Sequence, residues 1–371
     1  MAQGRQEVRW AEENVRMFDI KIQQTTQPKA RPADESKLGF GKIFTDHMLL
    51  IDYNIHKGWF DPRVVPHGPL SLDPACSVLH YGQEIFEGAK LYRTKDGYNL
   101  FRIRDNFERM NKSAERMGMA TMPIDLYMES LLALLAVDKD WTPHQAGTSL
   151  YIRPTMIATD SCLGVSAAEN YLYYVILSPS GAYYASGLAP VSIYVEDQLV
   201  RAVRGGVGVA KTGGNYAASI LAGKKAKHEG YAQVLWLDGV EQRYIEEVGA
   251  MNMMFVYDHQ TVVTPMLNGS ILPGITRDSA LKLAKHMGLA VEERRMDIHE
   301  VIADARAGKI TEAFGTGTAA VVSPVNQIGY KEERVSIGDG NIGKVTQTLY
   351  DTLTGIQTGK IEDPFGWITK V

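Results

Sequence analysis

Residues 208–219, GVAKTGGNYAAS, place Lys211 among three glycines, with a tyrosine five positions on. A lysine that acts as a nucleophile must lose its proton. Apolar, backbone-crowded surroundings favour that by lowering an ammonium from its usual ~10.4 toward neutrality. Two carboxylates, Glu246 and Glu247, interrupt the otherwise apolar run of QRYIEEVGAMNMMFV. Strand alternation sends them to opposite faces, so one is expected to point inward and to need a partner. A ring nitrogen that must stay protonated is such a partner. LPGITRDSALKLA opens a helix directly after Pro273 and Gly274, which offers the amides of Ile275 and Thr276 to an anion at its positive end. GTGT (315–318) adds backbone amides and the Thr318 hydroxyl. A phosphate cradle, a lysine and a carboxylate are together what pyridoxal phosphate requires.

Other motifs point elsewhere and lack support. GTGTAA (315–320) matches a dinucleotide-binding pattern, but the acidic residue expected some 20 positions later falls in a glycine-rich loop at Asp339, and a tight turn is the simpler reading. Ser279 with Lys282, and KTG at 211–213, are two marks of penicillin-recognising serine enzymes, in reversed order and without S-D-N. G-x-S-x-G, the P-loop and H-E-x-x-H are all missing. His80 beside Tyr81 reads as part of a packed turn, and no metal site is expected.

These groups must be carried by ordered elements. The chain has 371 residues, 45% hydrophobic and 22% charged, enough for two domains with separate cores. A net charge of −4 gives no basic excess for nucleic acid, so small-molecule partners are expected. With only Cys76 and Cys162 there is no disulfide framework, and no stretch approaches the ~18 apolar residues of a membrane span, so a cytoplasmic location is expected. Residues 1–46 read as an N-terminal arm or loop, with order beginning near Met48. HMLLIDYN, GYNLFRI, LYIRPTMIAT and YLYYVILSP read as strands. Phe107, Met110, Ala114 and Met117 recur at helical spacing, in a helix whose expected N-cap is Asp105 or Asn106. A small α/β domain over 47–177, a Gly/Ala/Ser-rich linker over 178–190 and a larger domain over 191–371 follow. The larger one starts with VSIYV, continues with a helix ending in KKAKHEG at a Gly230 cap, strands at QVLWLDG and MNMMFVYD, and the helix after LPG. The fold class expected is α/β, a mixed α+β two-domain arrangement.

Six segments, LHYGQEIFEGAKLY, NFERMNKSAERM, GTSLYIRP, AKTGGNYAAS, YIEEVGAMN with LPGITR, and EAFGTGTAAVVSPV, stand in the order and approximate spacing of one family. On them the chain resembles the branched-chain amino acid aminotransferases of the fold type IV pyridoxal-phosphate enzymes. The resemblance implies pyridoxal 5'-phosphate as cofactor, an active site at the domain interface, and reversible amino transfer between leucine, isoleucine or valine and 2-oxoglutarate. It implies that Lys211 carries the coenzyme as an imine and moves the proton in catalysis. Glu247 would pair with the pyridine nitrogen and Tyr216 would donate to the ring's phenolic oxygen, while Arg109, Ile275, Thr276 and Thr318 bind the phosphate. Tyr81, Phe86, Tyr151, Arg153, Tyr183 and Ala319 fall on substrate-pocket positions. Val165 matches a loop residue that reaches the neighbouring subunit's pocket, which implies a homodimer. A D-amino acid aminotransferase or an aminodeoxychorismate lyase would share the lysine, the carboxylate and the cradle; LYIRP and the aromatic set favour the branched-chain enzymes. A protein that binds the coenzyme without turnover also fits the residues. Two departures stand out: Ala250 replaces the family's usual Thr, and Ala320 and Ser323 stand where some animal relatives have Cys-x-x-Cys, so no thiol switch is expected there.

Overall fold

A computed structural model describes residues 17–181 and 188–371. The described residues fall into two compact units, 17–181 with Gly355–Val371, and 188–354. Each is a mixed α/β body built on its own nine-stranded sheet.

The first unit contains strands β1 (Lys21–Ile22), β2 (His47–Asn54), β3 (Gly58–Pro66), β4 (Glu84–Phe86), β5 (Ala89–Arg93), β6 (Tyr98–Phe101), β7 (Ser149–Ala158) and β8 (Asn170–Ser180), with helices α1 (Ser77–Tyr81), α2 (Ile103–Arg116) and α3 (Ile124–Asp138). The strand order is β1-β3-β2-β8-β7-β5-β6, with β4 also paired to β7. One sheet face packs on α2 and α3. Phe107, Met110 and Ala114 of α2 are fully buried there, and Phe107 stacks on Tyr127 at 4.7 Å between ring centroids. Burying each large side chain of this kind contributes about 1.5–3 kcal/mol, which is why the three- and four-residue spacing is a dependable helix signal. The helix begins earlier than expected. Its N-cap is Arg102, in the left-handed region at φ 51°, and the Asp105 carboxylate accepts from Arg102 Nε at 2.5 Å instead of capping the helix. One left-handed residue is all that separates the end of β6 from the helix. The arm is partly ordered into this unit: β1 pairs in parallel with β3, and Ile20 and Leu38 are buried.

The second unit comprises β9 (Val191–Glu196), β10 (Gln233–Leu237), β11 (Ile245–Val248), β12 (Met251–Tyr257), β13 (Thr261–Pro265), β14 (Ala290–Arg294), β15 (Ile310–Gly317), β16 (Val321–Tyr330) and β17 (Glu333–Ser336). Its helices are α4 (Gly213–Ala217), α5 (Ile220–His228), α6 (Ile275–His286), α7 (Ile298–Arg306) and α8 (Lys344–Gln357), the last running on into the returning segment. Strands follow the order β11-β10-β9-β16-β15-β12-β13-β14, and a further β11–β12 pairing closes part of this path into a ring. Helix α5 ends at His228 with Glu229 as C-cap, so the expected cap, Gly230, lies one residue further on, in the left-handed region at φ 85°.

The chain then leaves this unit. β18 (Ile368–Lys370) pairs antiparallel with β6, so Gly355–Val371 belong to the first unit and not to the larger domain expected over 191–371. GTGTAA is the β15–β16 hairpin: residues 318–320 form its turn and the strands pair antiparallel. A strand–turn–strand presents no helix N-terminus to a pyrophosphate, so the dinucleotide pattern is a coincidence of composition.

Candidate active site

The lysine segment precedes α4. Asn215, buried in that helix, donates from Nδ2 to the carbonyls of Val207 (2.9 Å) and Ala210 (3.0 Å), which pins the backbone immediately before Lys211. Lys211 Nζ then lies 2.8 Å from the Tyr216 hydroxyl. Glycine at 208 is a spatial requirement, because a Cβ there would overlap the Ser270 carbonyl.

Glu247 and Asn252 face each other across β11 and β12, and Asn252 faces Thr316 across β12 and β15. This register lines up three polar side chains on one face of the sheet. Glu247 is buried; its Oε1 accepts from the Leu272 amide at 2.8 Å and its Oε2 lies 3.2 Å from Arg201 Nε. Burial pushes its carboxyl above the ordinary value, against the opposing pull of Arg201, the Leu272 amide and Lys211. Glu246 is buried as well, contrary to the expectation that one of the pair faces inward. It accepts from Asn268 Nδ2 at 2.9 Å and from the Ser270 hydroxyl. Both faces of this short strand are covered, so each carboxylate needed its own partners.

Gly274 is the N-cap of α6, and no side chain caps that helix. A Cβ at Gly274 would overlap Asn252 Oδ1, so glycine brings the helix start against the Glu247 ladder. Ile275 and Thr276 occupy the first turn, and Thr318 and Ala319 lie in the β15–β16 turn. A cavity in this unit is lined by Arg201, Ala210, Asn215, Tyr216, Ser219, Glu247, Gly249, Ala250, Asn252 and Leu272. Two expected coenzyme residues, Tyr216 and Glu247, share it. Ile275, Thr276 and Thr318 are not among its walls. Ala250 is, at the position where the hydroxyl of the usual Thr is missing.

The remaining expected residues belong to the first unit. Arg109 of α2 is buried against Glu87, donating from Nε to Oε1 at 2.7 Å and from Nη2 to Oε2 at 2.8 Å. Tyr151 and Arg153 share a face of β7, and Arg153 Nη2 donates to the Tyr151 hydroxyl at 3.0 Å. The guanidinium also sits 4.8 Å from the ring centroid of Phe86 and 5.2 Å from that of Tyr151. Among the described residues it has no carboxylate partner, and its buried Nε has no acceptor. Glycine at 88 leaves room for the Tyr151 hydroxyl. Tyr81, at the end of α1, donates its hydroxyl to the Leu163 carbonyl in the loop that also bears Val165, which is 85% exposed. Tyr183 lies outside the described residues.

A family model for amino-transferase class IV matches residues 84–328. The chain belongs to the class IV aminotransferases. This aminotransferase is 52% identical over 353 residues to branched-chain-amino-acid aminotransferase 2 of Bacillus subtilis, covering 95% of this chain and 97% of that protein. It is 51% identical to a probable branched-chain-amino-acid aminotransferase of Staphylococcus aureus strain N315, covering 94% and 97%. Among solved structures, the Escherichia coli branched-chain amino acid aminotransferase superposes with a TM-score of 0.73 at 28% identity, covering 88% of this chain and 99% of that one. The T.th. branched-chain amino acid aminotransferase, solved with pyridoxamine 5'-phosphate, superposes with a TM-score of 0.72 at 27% identity, covering 86% and 98%. Arg201 is the site residue that sequence reasoning missed. A buried arginine 46 positions from its carboxylate leaves no periodic trace; the one available signal was that a buried glutamate needs a cation.

Proposed function

We propose that this class IV aminotransferase is a branched-chain-amino-acid aminotransferase, exchanging the amino group between leucine, isoleucine or valine and 2-oxoglutarate with pyridoxal 5'-phosphate as cofactor. The reading rests on one observation above all. In a chain about half identical to such enzymes, a lysine amine 2.8 Å from a tyrosine hydroxyl stands in the unit where that tyrosine and a buried carboxylate line one cavity.

The residues fit the coenzyme. Lys211 supplies the amine that carries it, and Tyr216 the hydroxyl for the ring oxygen. Glu247, a buried carboxylate beside the Arg201 cation, suits the role of acceptor for a ring nitrogen that must stay protonated. The first-turn amides of α6 at Ile275 and Thr276, with Thr318 and Arg109, are assigned to the phosphate. When bound, the coenzyme supplies the electron sink that stabilises negative charge at the substrate α-carbon. Lys211 acts as the base that takes the proton from that carbon and delivers it to the adjoining coenzyme carbon. Tyr216 orients the lysine amine, and Glu247 holds the ring proton. Phe86 and Tyr151, with Tyr81, are assigned to the aliphatic side chain and Arg153 to the second carboxylate of glutamate; the resemblance adds Ala319 and Tyr183 to the substrate residues. Val165 and the exposed loop around it serve a homodimer in which this loop completes the neighbouring pocket. Among the described residues no helix is long and apolar enough to cross a membrane, which is compatible with a cytoplasmic enzyme.

An amino-donor screen with 2-oxoglutarate tests the reading. Glutamate formation from leucine, isoleucine and valine, well above that from D-alanine, is expected. Absence of transfer from all three would overturn it.

A further inference from the structure

Arg201 follows β9 and is buried. Its guanidinium reaches two places at once: Nε is 3.2 Å from Glu247 Oε2, and Nη2 donates to the Ser270 carbonyl at 2.7 Å. Ser270 lies in the loop that leads into α6. The same loop sends the Leu272 amide to the other oxygen of Glu247, and its Ser270 hydroxyl and Asn268 amide meet Glu246. The glycine before the lysine segment, Gly208, packs on the Ser270 backbone too. The lysine segment, the carboxylate and the approach to α6 thus share a single junction.

The charges around Glu247 make this junction more than a brace. Glu246, its neighbour on β11, disfavours a second negative charge, and burial disfavours any charge at all. On the other side stand Lys211, the Leu272 amide and Arg201, of which Arg201 pulls hardest. Tyr216 is the other titratable wall of the shared cavity.

We infer that Arg201 is a positioning residue: it is the counter-charge that keeps Glu247 an oriented carboxylate, and it couples that carboxylate to the loop that places α6. The inference rests on the reading that Glu247 meets the coenzyme's ring nitrogen. A role confined to holding the Ser270 carbonyl would be indifferent to whether residue 247 carries charge.

The test is a double-mutant cycle of Arg201→Met, Glu247→Gln and the pair, with two readouts. The first is turnover of the coenzyme-loaded enzyme. Each single variant is expected to lose tenfold or more, and the double variant to be no slower than Glu247→Gln alone, since Arg201 acts through Glu247. The second is the denaturation midpoint of the coenzyme-free protein. Arg201→Met strands a buried charge, and Glu247→Gln added to it is expected to restore part of the loss. Additive effects in both readouts would overturn the coupling. If Arg201→Met does not fold, Arg201→Lys takes its place in the same cycle, because lysine keeps the charge and loses the fork. Wild-type protein without amino transfer but with a non-additive stability cycle would sink the enzyme reading and leave the Arg201–Glu247 pair standing.

Discussion

The amine of Lys211 and the hydroxyl of Tyr216 are 2.8 Å apart, across a turn that Asn215 clamps through two backbone carbonyls. The tyrosine therefore fixes the amine in one direction. On the proposed assignment, Lys211→Ala abolishes both coenzyme attachment, read as loss of the bound-coenzyme absorbance band, and turnover. Tyr216→Phe keeps the amine and removes its partner. It is expected to bind coenzyme and to slow transfer by about tenfold, the ~1–1.5 kcal/mol of one neutral hydrogen bond. If Lys211→Ala turned over near the wild-type rate, the lysine would have no part in the chemistry.

Gly274 tests the start of α6. Its backbone, at φ −69° and ψ 130°, suits any residue, so the demand for glycine comes from space alone: a Cβ would overlap Asn252 Oδ1 and stand 3.2 Å from Arg277 Cβ. Asn252 cannot retreat freely because its Nδ2 donates to the Leu272 carbonyl at 3.0 Å. Gly274→Ala is expected to cost about 1–3 kcal/mol in chemical denaturation, the scale of overpacking, and to weaken coenzyme binding in a titration. Adding Asn252→Ala, which removes the obstructing oxygen, should return part of the stability. An unchanged midpoint in Gly274→Ala would mean that the asparagine moves aside without cost.

What the sequence made legible was whatever had a local cause. Phe107, Met110 and Ala114 mark one buried face because a helix repeats every 3.6 residues, and Lys211 stands out because glycines crowd it. Long-range causes were illegible. Both glutamates of IEEV are buried because Asn268, Ser270 and Arg201 arrive from 22 or more positions away. The C-terminal strand joins the first unit through a register with β6 that no spacing encodes. At Arg102 a capping preference for Asp or Asn lost to the need for one left-handed residue between strand and helix. Alternation did place Tyr151 and Arg153 on one face, but it could not say that the arginine would pair with no acid among the described residues.

Lys90 stands directly across β5–β7 from Tyr151, and burial pushes its amine down to about 8. In the unfolded chain the amine keeps its ordinary value of 10.5, so between about pH 8 and 10.5 the unfolded state binds more protons than the folded one. Stability from this residue therefore rises with pH through that window, and below about pH 8 the cost of the buried charge is fully present. Urea midpoints from about pH 7.5 to about pH 10 should show wild type gaining on Lys90→Met as pH increases. Parallel curves for the two proteins would mean that the ammonium is solvated in the folded state.

Arg153 bears on how one pocket takes both an aliphatic side chain and a carboxylate, groups that an apolar wall would sort apart. Its guanidinium rests over the rings of Phe86 and Tyr151 and donates to the tyrosine hydroxyl, and its Nε has no acceptor. A structural arginine is normally neutralised by an acid, and among the described residues none pairs with this one. The cation is thus held in place by aromatic faces and one phenol, with donor capacity left for an incoming anion. On the proposed assignment, the tyrosine and phenylalanine rings offer bound leucine apolar surface while the guanidinium keeps its contact with the Tyr151 hydroxyl. On the same proposed assignment, the γ-carboxylate of bound glutamate takes up the remaining donors. Arg153→Met should then damage the 2-oxoglutarate half-reaction selectively, by about 2–4 kcal/mol of transition-state binding, the scale of a charge-assisted pair. The leucine half-reaction should stay within about threefold, since methionine preserves the apolar wall. Single-turnover kinetics of each half-reaction measure the two losses separately. Equal losses would show that Arg153 supports the pocket's shape and does not read the second carboxylate.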